Sequence, residues 1–167
     1  MTVLVFAGPP GSGKTTVGGL VADRLGVDFL DIDTEIEVVA GKPIPEIFID
    51  DGEPAFRALE RQTVARALVE HGGVIALGGG SVLAAETRAL LAEHLVVFLD
   101  VSPADAFRRV GLDMSRPLLA VNPRQRLREL MEQRRPLYEE VATLRVDTDG
   151  RTPDEVADEV LALTVHR

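Results

Sequence analysis

The most informative absences in this sequence are cysteine and any long hydrophobic run. None of the 167 residues is cysteine, so disulfide bonds, thiolate metal sites and cysteine nucleophiles are excluded. No apolar run approaches the ~20 residues that a membrane-spanning helix needs. The N-terminus also lacks the charged start, apolar middle and cleavage site of a secretory signal. We therefore expect a cytoplasmic protein with no membrane partner.

Basic residues are scarce relative to acidic ones. Lysine and arginine together number 18, against 27 aspartate and glutamate residues, so the net charge is −9. Because nucleic acids and anionic membranes are bound through clustered positive charge, we expect neither as a partner. A small anionic ligand remains compatible with this charge, since a few local arginines are enough to bind it.

What the chain does contain is an apolar share of 46%, which can support a hydrophobic core at this length. The length predicts a single domain over residues 1–167. Apolar runs typical of buried strands alternate with segments of helical periodicity. This alternation predicts an α/β fold with a mainly parallel sheet.

A glycine-rich segment near the N-terminus, Gly8–Thr15, matches the phosphate-binding loop pattern G-x-x-x-x-G-K-[ST]. It follows an apolar run, Val3–Ala7, that predicts a strand, and it precedes the helical pattern of Thr15–Leu25. Glycines let backbone N–H groups surround a phosphate, and a helix N-terminus favours the anion. Lys14 adds a mobile charge for the β- and γ-phosphates, while Thr15 offers a hydroxyl to Mg²⁺. The segment predicts nucleoside triphosphate binding but does not identify the phosphate acceptor.

Two aspartates follow the next short apolar run. Phe29 and Leu30 predict a buried strand, and Asp31 and Asp33 come at its carboxyl end, the edge where ligands bind in open α/β sheets. At strand-like spacing the two carboxylates point the same way, so one could hold a metal-bound water and the other a substrate hydroxyl. The alternative is that one of them only caps a helix beginning near Thr34.

An arginine and a glutamate three residues apart, Arg57 and Glu60, lie on a long helix predicted from Gly52 to Glu70. They have two interpretations. They are either an exposed ion pair of small energetic value, or Arg57 faces an anionic substrate while Glu60 holds its guanidinium in place. The pattern does not decide between them.

Three consecutive glycines, Gly78–Gly80, follow a predicted buried strand at Val74–Leu77. Glycines at the carboxyl edge of a strand allow a ligand or another backbone to approach closely. The alternative is a flexible turn, and the close approach is the better explanation.

A segment without clear periodicity, at about residues 111–123, contains Arg116 and is a candidate lid. Phosphoryl transfer needs a lid because water competes with the acceptor hydroxyl, and positive charge on it stabilises the migrating group. Asp100, after another apolar strand, imitates the second magnesium contact of many phosphate-loop enzymes, but Asp31 competes for that role and is the preferred candidate.

Together these stretches resemble the shikimate kinase family over nearly the whole chain. The matching pieces are Gly8–Thr16, Phe29–Asp33, Ile44–Phe48, Gly52-Glu53, Phe56–Glu60, Leu77–Gly80, Arg116–Leu119 and Arg134–Tyr138. The phosphate loop alone is generic, but the joint occurrence in this order is specific. The resemblance implies a three-layer α/β/α phosphate-loop fold of the nucleoside-monophosphate-kinase type, with about five parallel strands and a lid. It also implies transfer of the ATP γ-phosphoryl group to the 3-hydroxyl of shikimate, in chorismate and aromatic amino-acid biosynthesis.

The resemblance also assigns roles to individual residues. It implies ATP binding by Gly11, Ser12, Gly13, Lys14, Thr15, Thr16, Arg109, Arg116 and Pro153, with Arg109 and Pro153 flanking the adenine. It implies a shikimate-binding region at about residues 33–61, and shikimate binding by Asp33, Arg57, Glu60, Gly78, Gly79, Gly80 and Arg134. Thr15 would ligate Mg²⁺ and Asp31 would reach it through water, while Lys14, Asp33 and Arg116 would be catalytic. Arg134 is preferred to Arg135 because it stands two residues before the proline of R-x-P-L-Y.

Three other functions compete with this interpretation. Another small-metabolite kinase of the same fold, such as a gluconate kinase, is the nearest, and a nucleoside-monophosphate kinase would bind AMP instead of an acid. A regulatory nucleotide switch is a different class, but the N-K-x-D guanine motif of GTPases is missing. We expect a monomer that uses ATP and Mg²⁺ and carries no organic prosthetic group.

Overall fold

A computed structural model describes residues 2, 4–110 and 122–164 of the chain. Over these residues, five strands form one sheet in the order β2-β3-β1-β4-β5, and every neighbouring pair is parallel. The strands are β1 (Leu4–Ala7), β2 (Phe29–Asp31), β3 (Val74–Ala76), β4 (Val96–Asp100) and β5 (Leu144–Asp147). The predicted α/β fold with a five-stranded parallel sheet is confirmed.

Helices connect the strands and cover both faces of the sheet. They are α1 (Lys14–Leu25), α2 (Ile32–Ala40), α3 (Ile44–Asp51), α4 (Glu53–Glu70), α5 (Ala85–Leu91), α6 (Pro103–Val110), α7 (Pro123–Val141) and α8 (Pro153–Thr164), with a short 3-10 helix at Ser81–Leu83. None of the described helices combines the length and apolar character that crossing a membrane requires.

The two faces of the sheet belong to different parts of the core. In β1, Leu4 and Phe6 pack with the buried residues of α1 and α8, whereas Val5 and Ala7 pack with those of α2, α4 and α7. This division follows from the strand period of two, which sends neighbouring side chains to opposite faces. All four are buried, as expected for a central strand of a parallel sheet, and the result is a three-layer arrangement.

Parallel strands place all their carboxyl ends at one edge of the sheet, and this edge collects the residues of interest. The phosphate loop follows β1, Asp31 ends β2, the triple glycine follows β3, and Thr148 follows β5. The candidate lid at residues 111–123 follows α6 in the sequence and overlaps α7 at Pro123, but residues 111–121, including Arg116, are outside the described part of the chain.

Candidate functional site

The phosphate loop has a backbone that a side chain would disrupt. Gly11 adopts a φ of 81°, and a Cβ added there would stand 2.6 Å from the carbonyl oxygen of Ala106 in α6. Helix α1 begins at Lys14, so the unpaired N–H groups of its first turn face the loop. The loop therefore fits the anion site that its sequence predicts.

A cavity of about 390 Å³ opens over this loop. It is lined by eight of the residues predicted to bind ATP, namely Gly11, Ser12, Gly13, Lys14, Thr15, Thr16, Arg109 and Pro153, and also by Asp31, Asp33 and Gly79. Among the remaining lining residues, the polar Thr148 and Arg151 were not predicted as site residues. Thr148 follows β5 at the ligand-binding edge of the sheet, so the rule that pointed to Asp31 also applies to it.

Lys14 lies over the loop backbone. Its Nζ donates hydrogen bonds to the carbonyl oxygens of Gly8, at 2.7 Å, and Pro9, at 3.1 Å. These carbonyls hold the ammonium group at the cavity wall, where its charge favours an anion. Arg109 on α6 places a second positive charge beside the loop. Its guanidinium is held there by hydrogen bonds that it donates to the Thr148 carbonyl, at 2.7 Å, and to the Gly11 carbonyl, at 3.2 Å.

Thr15 and Asp31 meet at the same cavity. The Thr15 hydroxyl donates to Asp31 Oδ2 at 2.5 Å, while Asp31 Oδ1 accepts the Thr34 N–H at 3.1 Å as the N-cap of α2. The two interpretations of Asp31 are therefore compatible, since one oxygen caps the helix and the other faces the loop. Hydroxyl and carboxylate oxygens are hard ligands of the kind Mg²⁺ prefers.

The expectation that Asp31 and Asp33 are related by strand spacing is wrong. Strand β2 ends at Asp31 and α2 begins at Ile32, so Asp33 lies in the first turn of a helix. Asp33 still lines the cavity, and its Oδ1 lies 2.6 Å from where a Cβ on Gly78 would stand. The carboxylates share a site because a helical turn brings Asp33 there.

Beyond Asp33, a buried polar network joins α4 to the triple glycine. Arg57 Nη1 donates to Glu60 Oε1 at 2.9 Å, and the Ser81 hydroxyl donates to Glu60 Oε2 at 3.1 Å. The Ser81 oxygen in turn accepts the Gly78 N–H at 3.1 Å. Glu60 is only 4% exposed, so the interpretation of an exposed ion pair is wrong. The contact between Arg57 and Glu60, which their spacing on one helix predicts, is present.

Burial raises the pKa of Glu60 above its ordinary value, and the charge of Asp33 adds to this. The charge of Arg57 and the hydrogen bonds from Arg57 and Ser81 act in the opposite direction, because they stabilise the carboxylate. The ionised form of Glu60 thus depends on the donors around it.

Arg57 offers a donor for a ligand. Its Nε is buried and makes no hydrogen bond within the described chain, the nearest carboxylate being that of Glu53 at 3.6 Å. The guanidinium packs directly on Gly80, where a Cβ would lie 2.8 Å from Arg57 Cζ. A guanidinium that is mostly enclosed and has an unused, buried N–H suits a carboxylate ligand.

Helix α7 separates its two neighbouring arginines. Arg134 is buried, with 7% exposure, and stands one turn before Tyr138, whose hydroxyl donates to the Gly79 carbonyl at 2.5 Å. Arg135 instead makes a bidentate pair with Asp100, at 2.9 and 2.7 Å. Arg134 thus shares a helix face with the residue that contacts the triple glycine, and Asp100 is engaged in holding Arg135.

Comparison with known proteins gives consistent relatives. A family model described as shikimate kinase matches residues 10–164. A shikimate kinase from Salinispora arenicola is 62% identical over 161 residues, which are 96% of this chain and 96% of that protein.

Solved structures agree with this. The chain is similar to the shikimate kinase from Acinetobacter baumannii in complex with shikimate, with a TM-score of 0.94 and 38% identity over 99% of this chain and 93% of that one. A gluconokinase from Sinorhizobium meliloti has a TM-score of 0.61 at 24% identity, covering 99% of this chain and 92% of that chain. At that identity the likeness concerns the fold alone.

Proposed function

Because the chain belongs to the shikimate kinase family, we propose that it transfers the γ-phosphoryl group of ATP to the 3-hydroxyl of shikimate. The products are shikimate 3-phosphate and ADP, and the reaction serves chorismate and aromatic amino-acid biosynthesis. The observation that carries this proposal is the position of Asp33, which borders both the phosphate-loop cavity and the triple glycine beside the Arg57 network.

The acceptor end binds an acidic alcohol. Arg57 and Arg134 clamp the carboxylate of shikimate, since a guanidinium can donate two parallel hydrogen bonds to it, and Glu60 orients Arg57. Gly79 and Gly80 approach the substrate with their backbone, as does Gly78. The buried Arg57 Nε supports this arrangement because it has a donor to offer.

Phosphoryl transfer takes place at Asp33, where the nucleotide cavity meets the part of the site that binds shikimate. The 3-hydroxyl oxygen of shikimate forms a bond to the γ-phosphorus of ATP, and the bond from that phosphorus to the β–γ bridging oxygen breaks. The hydroxyl proton passes to the carboxylate of Asp33, which also orients the oxygen for attack. Lys14 stabilises the negative charge on the phosphoryl group, and Arg116 does so from the lid.

Thr15 and Asp31 would hold Mg²⁺, Asp31 through a water molecule. The meeting of their oxygens at the cavity wall supports this fit. When bound, Mg²⁺ neutralises charge on the phosphates. Arg109 and Pro153 flank the adenine.

The remaining properties follow from this function. The chain acts as one domain and as a monomer. The compartment proposed for it is the cytoplasm. Its partners are ATP and shikimate, and neither nucleic acid nor membrane takes part.

The test is a competition between acceptors. ADP release is measured with ATP, Mg²⁺ and either shikimate, gluconate or AMP, and calorimetry measures the binding of each acceptor alone. We expect rapid ADP release and measurable binding with shikimate only. Activity with gluconate or AMP at the level seen with shikimate would contradict the proposal.

A further inference from the structure

The 3-10 helix after the triple glycine contributes one side chain that reaches the centre of the buried network. Ser81 is 2% exposed, and its hydroxyl is the bridge between α4 and the loop that leaves β3. It donates to Glu60 Oε2 and accepts the Gly78 N–H, both at 3.1 Å. Its own N–H donates to the Gly78 carbonyl at 3.1 Å, so the turn around the glycine is closed from both sides.

The hydrogen bond from Ser81 fixes the orientation of the Glu60 carboxylate. One oxygen of the carboxylate accepts from Arg57 and the other accepts from Ser81, so the two donors fix its rotation. Without the second donor, the buried Oε2 has an unsatisfied lone pair next to Asp33 Oδ1, which faces the same glycine. Leaving a buried charged oxygen without its partner is costly, and the group responds by turning or by taking up a proton.

We infer that Ser81 is a positioning residue for the acceptor substrate: through Glu60, its hydroxyl holds the Arg57 guanidinium where it meets the substrate carboxylate. The inference rests on the proposed function, because it names that same site. Ser81 acts through its neighbours, and its loss should affect the acidic alcohol and leave the nucleotide untouched.

The inference also predicts a pH effect. The groups facing Glu60 are Arg57 from its own helix, Asp33 from α2 and Ser81 from the 3-10 helix. Since the Ser81 hydroxyl stabilises the carboxylate, removing it raises the pKa of Glu60 further above its ordinary value. As pH falls, Glu60 then protonates sooner and releases Arg57 sooner. The acid-side decline in kcat/KM for shikimate should therefore begin at a higher pH.

The experiment compares wild type with Ser81→Ala and Ser81→Cys in the full chain. Alanine removes the hydroxyl, while cysteine fills nearly the same space with a weak donor. We expect both variants to raise the KM for shikimate, alanine by about tenfold, the effect of one hydrogen bond to a charged group. The KM for ATP should stay within about twofold of the wild-type value. The acid-side decline of kcat/KM for shikimate, which is the acid limb of the pH profile, should move to higher pH.

A matched control is Thr63→Val. Thr63 is equally buried and lies one turn further along the helix that carries Glu60, but its hydroxyl donates only to the carbonyl of Leu59 in the same helix, at 2.7 Å. Replacing this hydroxyl should leave both KM values and the pH profile unchanged.

Three results would overturn the inference while wild type remains active on shikimate. The first is an unchanged KM in Ser81→Ala, and the second is a raised KM with an unmoved acid limb, which means that Glu60 is not involved. The third is wild-type behaviour of Ser81→Cys, which means that the hydrogen bond from the hydroxyl can be weakened without consequence. If wild type itself does not phosphorylate shikimate, the proposed function fails and the inference with it.

Discussion

The nucleotide end and the acceptor end of this site are built in different ways. The nucleotide end is mostly one contiguous segment, residues 8–16, whose backbone N–H groups and helix start form the anion site. The proposed acceptor end would assemble side chains from separate elements, with Arg57 and Glu60 on α4, Ser81 after β3 and Arg134 on α7. The first depends on local backbone conformation and the second on long-range packing, so substitutions should impair them independently.

The largest effect is expected where the two ends meet. Asp33→Asn removes the proton acceptor but keeps the size and the hydrogen-bonding shape of the side chain. We expect kcat to fall by about 10²–10⁴-fold, the usual contribution of a general base, with the KM for ATP changed little. Steady-state kinetics measures this, and a variant with near-native turnover would exclude the role proposed for Asp33.

ATP binding should be lost when the backbone of the phosphate loop is altered. Gly11→Ala places a Cβ against the Ala106 carbonyl, at a φ that L-residues rarely adopt. We expect ATP affinity to fall by about 100-fold, in line with the ~1–3 kcal/mol of such strain, while shikimate binding measured by calorimetry persists.

The control for Gly11→Ala is Gly19→Ala, within α1. A Cβ at Gly19 meets no atom within 4 Å, so ATP binding should be unaffected. The free energy of unfolding should rise by about 0.5–1 kcal/mol, because alanine favours the helix. Equal loss of ATP affinity in both variants would show that the φ and close approach at Gly11 are not the reason.

Shikimate binding should weaken when the hydrogen-bonding geometry of the acceptor end is altered at constant charge. Arg57→Lys keeps the positive charge but loses the planar fork that can donate to Glu60 and to a carboxylate together. We expect the dissociation constant for shikimate to rise by about 30-fold, while ATP binding is retained. Calorimetry with each ligand alone checks this, and unchanged shikimate binding would refute the role of Arg57.

The smallest contrast separates two neighbouring arginines. Arg134→Ala should raise the KM for shikimate about tenfold, because it removes a buried cation from the acceptor end. Arg135→Ala breaks the pair with Asp100, and its half-exposed guanidinium should change the same KM by about twofold or less. The reverse ranking in steady-state kinetics would exchange the roles of the two residues.

The nucleotide end was easier to predict from the sequence than the acceptor end. The phosphate loop is a local motif, so its strand, glycines and helix were all predicted from adjacent residues. The expectation for Asp33 was wrong in its geometry, since three residues of β2 leave too short a pattern to show where the strand becomes a helix.

The residues that sequence reasoning missed depend on tertiary contacts. Nothing in the local pattern of Ser81 indicates that it meets Glu60, which lies 21 residues away. Arg151 also lines the nucleotide cavity, although it lies far from the phosphate loop in the sequence and belongs to no motif. For Thr148, the rule that parallel strands end at one ligand-binding edge could have predicted the position.

The sequence by itself determined the fold class, the anion site of the phosphate loop and the pairing of Arg57 with Glu60, because each follows from spacing along one strand, loop or helix. Only the tertiary structure decided that Arg135 pairs with Asp100, that Glu60 is buried and bridged by Ser81, and that Asp33 borders both ends. Those facts depend on how distant elements pack. Periodicity reveals which apolar residues are buried, but the burial of a single polar side chain and its long-range hydrogen bonds leave no such trace in the sequence.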